Sequence, residues 1–379
     1  MLCTTWQGKN SGLIYSRMRH NDKSMSCSTT DSTTRLYNAI AYSIHGSERH
    51  QVEVIQRLWG GYGELVRLHF PEAQGVISVI VKHVALPDKT EHPKGWNTQL
   101  SHQRKVKSYQ VETSWYQGFT QEYDPHCPVP VGLQCQQTEG EWLIVMQDLK
   151  TIGFSNISNF DVLASEVEGY SREEVQQRNA CLRWLAHFHA KHININPSDV
   201  SSLWETGTYW HLATRPDELN VLDDLYLKRN AQKIDKKLKD CPYPTLVHGD
   251  AKLANFCFDV ENKNAAAVDF QYVGFGCAMK DVALFMSSAI RPRDCAELES
   301  EVLKVYFEQL AHALALYRPQ LNAVQVEAAW RPMFATAWAD FQRFVKGWSP
   351  NHWKINPYTE QLTKKALSEM NEQEFVDVR

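Results

Sequence analysis

Three oxygen-bearing side chains, Asp250, Asn255 and Asp269, are spaced so that they could act together. Asp250 and Asn255 share the short segment Val247-His248-Gly249-Asp250-Ala251-Lys252-Leu253-Ala254-Asn255. Asp269 follows in Ala267-Val268-Asp269-Phe270-Gln271. A carboxylate can hold a hydroxyl group and accept its proton. An amide oxygen and a second carboxylate can hold magnesium, a hard ion that prefers oxygen ligands. Lys252 and Lys82 supply positive charge that could meet phosphate oxygens. His-Gly-Asp alone is a common tripeptide, so the weight rests on both segments occurring together at this spacing.

Other groupings carry less. His187, His189 and His192 fan out around a helix axis and cannot converge on one ion. The basic run at 228–239 reads as a solvated helix face. The nine cysteines include no Cys-x-x-Cys pair, which argues against a zinc site and a secreted disulfide framework and for reduced thiols in a cytoplasmic protein. The chain has 379 residues, 43% hydrophobic and 22% charged, with a net charge of −4. That balance gives no reason to expect nucleic acid as a partner. No apolar run reaches the length of a membrane span, and no signal-peptide core opens the chain, so no membrane role is expected.

The elements that must position these residues follow from periodicity. Residues 1–35, rich in Ser, Thr and Asn, read as a poorly ordered extension. Residues 36–50 read as a short helix and loop. Strands are expected at 53–58, 64–70 and 76–84. In the second, Val66, Leu68 and Phe70 alternate with Arg67 and His69. Trp59-Gly60-Gly61-Tyr62-Gly63 is a glycine turn between the first two. A helix at 100–119 carries Glu112, and two strands follow at 131–136 and 142–146. The remainder is helix-rich, with a long helix at 172–190 and an aromatic helical end at 324–370. The order predicts an α+β chain with a small antiparallel sheet lobe and a larger helical lobe.

On these residues the sequence resembles the protein-kinase-like superfamily, in the branch of aminoglycoside phosphotransferases, choline kinases and ecdysteroid-kinase-like proteins. Its members carry an HGDxxxxN loop followed by a DF or DFQ element. Leu143-Ile144-Val145-Met146-Gln147-Asp148-Leu149 resembles the inter-lobe hinge, and Leu185-Ala186-His187-Phe188-His189-Ala190 the helix before the loop. The resemblance implies a bilobal fold, with residues 36–147 as the nucleotide-binding lobe and 148–379 as the lobe of catalytic loop and acceptor. It implies an ATP- and Mg2+-dependent kinase acting on a hydroxyl of a small molecule. Asp250 would be the base, with Lys252 reaching the γ-phosphate and Asn255 and Asp269 holding magnesium. Lys82 would neutralise the α and β phosphates, with Glu112 orienting it. Gly61 and Gly63 would cover the phosphates, and backbone at Met146, Gln147 and Leu149 would take the adenine edge. His248 would fasten the loop, and Asp281 would pin it from a helix.

Three further readings compete: a non-catalytic nucleotide-binding protein on the same fold, a metal-dependent hydrolase, and a protein kinase. The four residues Asp250, Asn255, Asp269 and Lys82 together exceed what a binding module needs. The chain has no HRD and no APE-like segment for peptide docking. For the acceptor, the segment from Trp338 through Asp340 and Trp348 to Trp353 suggests aromatic faces and one acid, suited to an apolar or cationic molecule. Equally, those aromatics could be core.

Overall fold

The computed structural model describes residues 26–58, 62–71, 75–86, 99–164 and 166–377. It divides into two compact units, Met1–Gly95 with Gly132–Ile152, and Trp96–Val131 with Gly153–Arg379.

The first unit is a five-stranded antiparallel sheet with one helix. Its strands are β1 (Gln51–Arg57), β2 (Gly63–His69), β3 (Ser78–Ala85), β4 (Gly132–Thr138) and β5 (Glu141–Gln147), in the order β1-β2-β3-β5-β4. The alternation expected for β2 is present. Val66, Leu68 and Phe70 are buried with Val79 and Val81 of β3 and Leu143 and Val145 of β5. Helix α1 (Ser26–His45) covers that face with Tyr37, Ile40 and Ala41. This corrects the expectation for 26–35, which are helical; residues 1–25 lie outside the described residues. Apolar side chains on one stripe gain from burial against a sheet whatever the polar composition around them. On the opposite sheet face, buried Arg67 donates from Nε to Asp148 (2.7 Å), and Ser78 Oγ donates to the same carboxylate (2.7 Å). The residue that closes β5 is thus tied to β2 and β3.

The second unit is mainly helical. It begins with α2 (Gln99–Gly118), which groups here and not with the sheet, as the division at 147 had it. The reason is aromatic packing: the Trp115 ring stacks on Phe270 at 4.5 Å, and Tyr116 meets Phe270 edge-on. A capping box at Ser171 and Glu174 starts α3 (Arg172–His192). This helix packs on α7 (Cys295–Tyr317), where Arg178 meets Glu301 and His189 meets Tyr306, and its apolar residues Cys181, Leu185 and Phe188 are buried. The chain also forms β6 (Asn156–Ile157), α4 (Pro216–Asn220), α5 (Leu225–Lys239), β7 (Thr245–Val247), β8 (Phe256–Phe258), β9 (Ala265–Ala267), β10 (Gly274–Gly276) and α6 (Met279–Ala289). It ends with α8 (Ala323–Trp330), α9 (Met333–Trp348) and α10 (Pro357–Asp377). The architecture is α+β, as the periodicity predicted. Among the described residues no helix is long and apolar enough to cross a membrane.

Candidate active site

Strand β7 pairs antiparallel with β10 and delivers His248, Gly249 and Asp250 from its end. The turn there tolerates only glycine. Gly249 has φ +80°, and an added Cβ would lie 2.0 Å from the Tyr272 carbonyl oxygen. The loop is fastened from α6. Asp281 accepts from the backbone N–H of His248 (2.5 Å) and of Gly249 (3.0 Å). His189 of α3 braces the same carboxylate through Nε2 (3.2 Å), and its Nδ1 meets the Tyr306 hydroxyl of α7 (2.8 Å). Three helices therefore converge on the backbone just before Asp250.

His248 has a defined proton. Its Nε2 donates to the Val268 carbonyl (3.1 Å), while Nδ1 accepts from the Asp250 N–H (3.3 Å). Complete burial lowers its pKa against the opposing pull of Asp281, Asp250 and Asp269, so the ring is neutral. Its job is structural, as expected: it bridges the two loops.

Lys252 and Asn255 meet on the Asp250 carboxylate. Lys252 Nζ donates to Asp250 Oδ2 (2.9 Å). Asn255 Nδ2 donates to the same Oδ2 (3.1 Å) and to the Asp250 carbonyl (2.8 Å). Asn255 thus spends its N–H2 on Asp250, which leaves its Oδ1 as the atom for a cation. The hairpin of β8 and β9 brings the second segment alongside, and the Val268 N–H donates to the Asn255 carbonyl (3.0 Å). Asp269 follows at once, with φ +71°, a conformation unusual for a residue with a side chain. Behind it, Phe270 is fully buried against Trp115 and His248. One amide oxygen and one carboxylate suit magnesium, which retains few protein ligands and takes the rest from phosphate and water. Among the described residues no cluster of three or more His, Cys, Asp or Glu side chains could hold a metal.

Several residues at this site were not singled out from the sequence. The Ser288 hydroxyl of α6 accepts from the Leu253 N–H (2.9 Å), holding the loop between Asp250 and Asn255. The Tyr209 N–H donates to the Gly249 carbonyl (3.2 Å). Burial and then the Asp250 charge push the Tyr209 hydroxyl up, so the phenol stays protonated. Lys354 also lies within electrostatic reach of Asp250. None stands near a motif, and each arrives from a distant segment, so only the fold brings them in.

The remaining expected residues fall as follows. Lys82 is buried in β3, opposite Leu65 of β2 and Ile144 of β5. Glu112 is buried on α2, in the helical unit. Gly61 lies outside the described residues. Gly63 has φ +130°, and a Cβ there would lie 2.1 Å from the His83 carbonyl, so β2–β3 pairing alone requires glycine. Met146 and Gln147 end β5, and Leu149 is buried in the 3-10 turn that follows. His187 stacks on His126 (4.9 Å) and His192 packs edge-on to Phe188, so the three helix histidines have separate partners.

Asp340 requires a correction. It was a candidate for selecting a cationic acceptor, but it is fully buried between Arg343 (2.8 Å), Lys280 (3.4 Å) and the Trp210 indole N–H (3.0 Å). Burial alone would raise its pKa; Arg343 and Lys280 outweigh that and hold it below the ordinary value. Its charge is already neutralised inside the core. Trp330, Phe334, Trp338, Phe341 and Phe344 are likewise buried, whereas Trp348 and Trp353 are half-buried.

No curated protein matches the chain in sequence. Among solved structures, it is similar to a protein of Ralstonia eutropha JMP134 described as an aminoglycoside phosphotransferase, at 13% identity and TM-score 0.49, covering 88% of this chain and 95% of that one. It is similar to an ethanolamine kinase of Plasmodium vivax at 12% identity and TM-score 0.44, covering 84% and 82%. It is also similar to a choline kinase of Streptococcus pneumoniae at 11% identity and TM-score 0.41, covering 89% and 99%. Likenesses this distant say nothing of this chain's substrate. A family model described as the phosphotransferase enzyme family matches residues 102–319, which is more than half of the chain and includes Asp250, Asn255, Asp269 and Asp281. The α+β class expected from the sequence is present in the sheet and helices of the chain, and the chain belongs to the phosphotransferase enzyme family.

Proposed function

We propose that the protein transfers the γ-phosphate of ATP to a hydroxyl group of a small molecule, with Asp250 as the general base. One observation carries the reading. Lys252 and Asn255 both donate to Oδ2 of Asp250, and among the described residues no group donates to Oδ1. Oδ1 is thus the atom for an incoming hydroxyl. It would accept the acceptor's hydrogen bond and aim the oxygen at the γ-phosphorus. As the new P–O bond forms, the bond to the β–γ bridging oxygen breaks and ADP departs. The proton passes to the Asp250 carboxylate. Magnesium, when bound, would neutralise charge on the phosphates, and Asn255 Oδ1 and the Asp269 carboxylate are the groups that would hold it. Lys252 would leave Asp250 for a γ-phosphate oxygen. Lys82 and Glu112 belong to the nucleotide side of the same proposal, with the turn at 59–63 and the backbone at 146–149. A cytoplasmic setting is part of the reading, supported by the seven free thiols among the described residues.

The test is Asp250→Asn. Its fold and affinity for ATP should be retained, while phosphate transfer drops by ~10²-fold or more, the scale for a positioned base. Turnover within about a factor of two of wild type removes Asp250 from that role.

A further inference from the structure

Lys354 is a buried lysine that the phosphate-transfer chemistry does not use. It follows α9, just before α10, and its residue is 9% exposed. Its ammonium donates to the Ser287 hydroxyl (2.8 Å) and lies over two rings, Phe341 at 5.2 Å and Trp353 at 5.3 Å. Among the described residues, no carboxylate stands within ion-pair distance of it. This sets it apart from the other buried cations of the unit: Lys280 and Arg343 share Asp340, and Arg215 has Glu218. Ser287 is adjacent to Ser288, which holds the catalytic-loop backbone at Leu253. One turn of α6 therefore seats both the lysine and the loop. The charged groups that act on Lys354 are Asp250 and Lys252, and burial is what most disfavours its charged form, lowering its pKa to about 7. Nearby, the Tyr209 ring packs edge-on to Tyr272 and Phe344, giving an aromatic surface around Asp250.

A desolvated ammonium with only a hydroxyl and two ring faces is incompletely satisfied. A ligand oxyanion would complete it, and the reacting hydroxyl beside Asp250 puts the acceptor within range. Asp340, the acid expected to meet a cationic acceptor, is instead consumed by Arg343 and Lys280. We propose that Lys354 is a specificity-determining residue of the acceptor site, and that the acceptor is a hydroxylated molecule with an apolar or aromatic body and an anionic oxygen group, not an amino alcohol. The proposal rests on the phosphotransfer reading of Asp250.

The experiment uses the full chain and three matched probes: para-(hydroxymethyl)benzoate, para-(hydroxymethyl)benzamide and para-(hydroxymethyl)benzylammonium. Calorimetry in the presence of ADP and magnesium gives their affinities for wild type, Lys354→Met and Lys354→Arg. The benzoate should bind wild type at least about tenfold tighter than the benzylammonium, the scale of one charged contact. Lys354→Met should bring the two to within about threefold, and Lys354→Arg should keep the wild-type order. ADP affinity should be the same in all three proteins, which shows that the variants are folded. Equal or undetectable binding of the three probes to wild type, tighter binding of the benzylammonium, or a benzoate preference that survives Lys354→Met overturns the proposal. Release of ADP from ATP, with and without acceptor, is followed separately. A wild type that binds the probes in the expected order but never cleaves ATP would sink the phosphotransfer reading and leave the anion preference standing.

Discussion

Asp250 and Asp281 differ in how their carboxylate oxygens are hydrogen-bonded. Asp250 accepts through one oxygen and leaves the other available. Asp281 is consumed on both, by two backbone N–H groups and His189. Replacing Asp281 by alanine would leave three buried donors without an acceptor, at roughly 1–3 kcal/mol each. Asp281→Ala should therefore lose at least ~3 kcal/mol in urea unfolding, whereas Asp250→Asn changes stability little; comparable losses in the two would refute the division of roles. Lys354 makes a different residue-scale prediction. Burial lowers its pKa from the usual 10.5 to about 7, so between those values the native chain binds fewer protons there than the unfolded chain. Stability linked to this group thus rises with pH across that window, and below about pH 7 the full penalty is present. Lys354→Met should raise stability at pH 7 by roughly 1–3 kcal/mol, and the gain should shrink towards pH 10. A destabilised Lys354→Met at pH 7 would mean that its ring and hydroxyl contacts outweigh desolvation.

At the scale of elements, the site depends on turns that no other residue can make. Gly249 combines a positive φ with the carbonyl of Tyr272 directly in the path of a side chain, while Gly153, at φ +94°, has nothing within 4 Å. Gly249→Ala should cost roughly 3 kcal/mol or more and abolish transfer, and Gly153→Ala only about 1 kcal/mol, the backbone penalty alone. Thermal unfolding of the two variants checks this, and similar shifts would argue against the close approach at Gly249. Such elements were partly legible in the sequence. The strands β2, β3 and β5 announced themselves because alternation and β-branching are local properties, and the loop from His248 to Asn255 because its residues are contiguous. Helix α1 was legible only in its second half, within 36–50, where Tyr37, Ile40 and Ala41 lie; residues 26–35 are dominated by serine and threonine and carry no apolar stripe to announce a helix. Asp340 was misread for a related reason. An acid among tryptophans looks the same in sequence whether it faces a ligand or a buried cation. The partners that decide it, Lys280 and Trp210, come from other elements. Lys354 escaped notice likewise, since burial is not a property of a residue's sequence neighbours.

Across the whole molecule, the helical unit carries buried imidazoles as well as the proposed site around Asp250. His187 and His211 are both buried, and desolvation lowers each to about 4; the neighbouring His126 adds to the effect at His187, and Lys280 and Arg215 at His211, where the Thr208 carbonyl opposes it. His248 is lowered by burial too. All three are neutral in the native state at neutral pH but would ionise near the usual 6.5 on unfolding. Below that value the unfolded chain binds more protons than the native one, so stability falls as pH falls, until the imidazoles of His187 and His211 themselves titrate near pH 4. The expected loss between about pH 6.5 and pH 4.5 is on the order of 2 kcal/mol for each of His187 and His211, since one linked proton is worth ~1.4 kcal/mol per pH unit and only part of it is expressed. Urea midpoints measured across that range should decline steadily. In the double variant His187→Gln and His211→Gln the decline should be clearly shallower, even if stability at neutral pH is also lower, because the slope reports protons and not packing. A wild-type midpoint that stays flat over the window, or a slope unchanged in the double variant, would show that these histidines are not what makes the fold sensitive to acid.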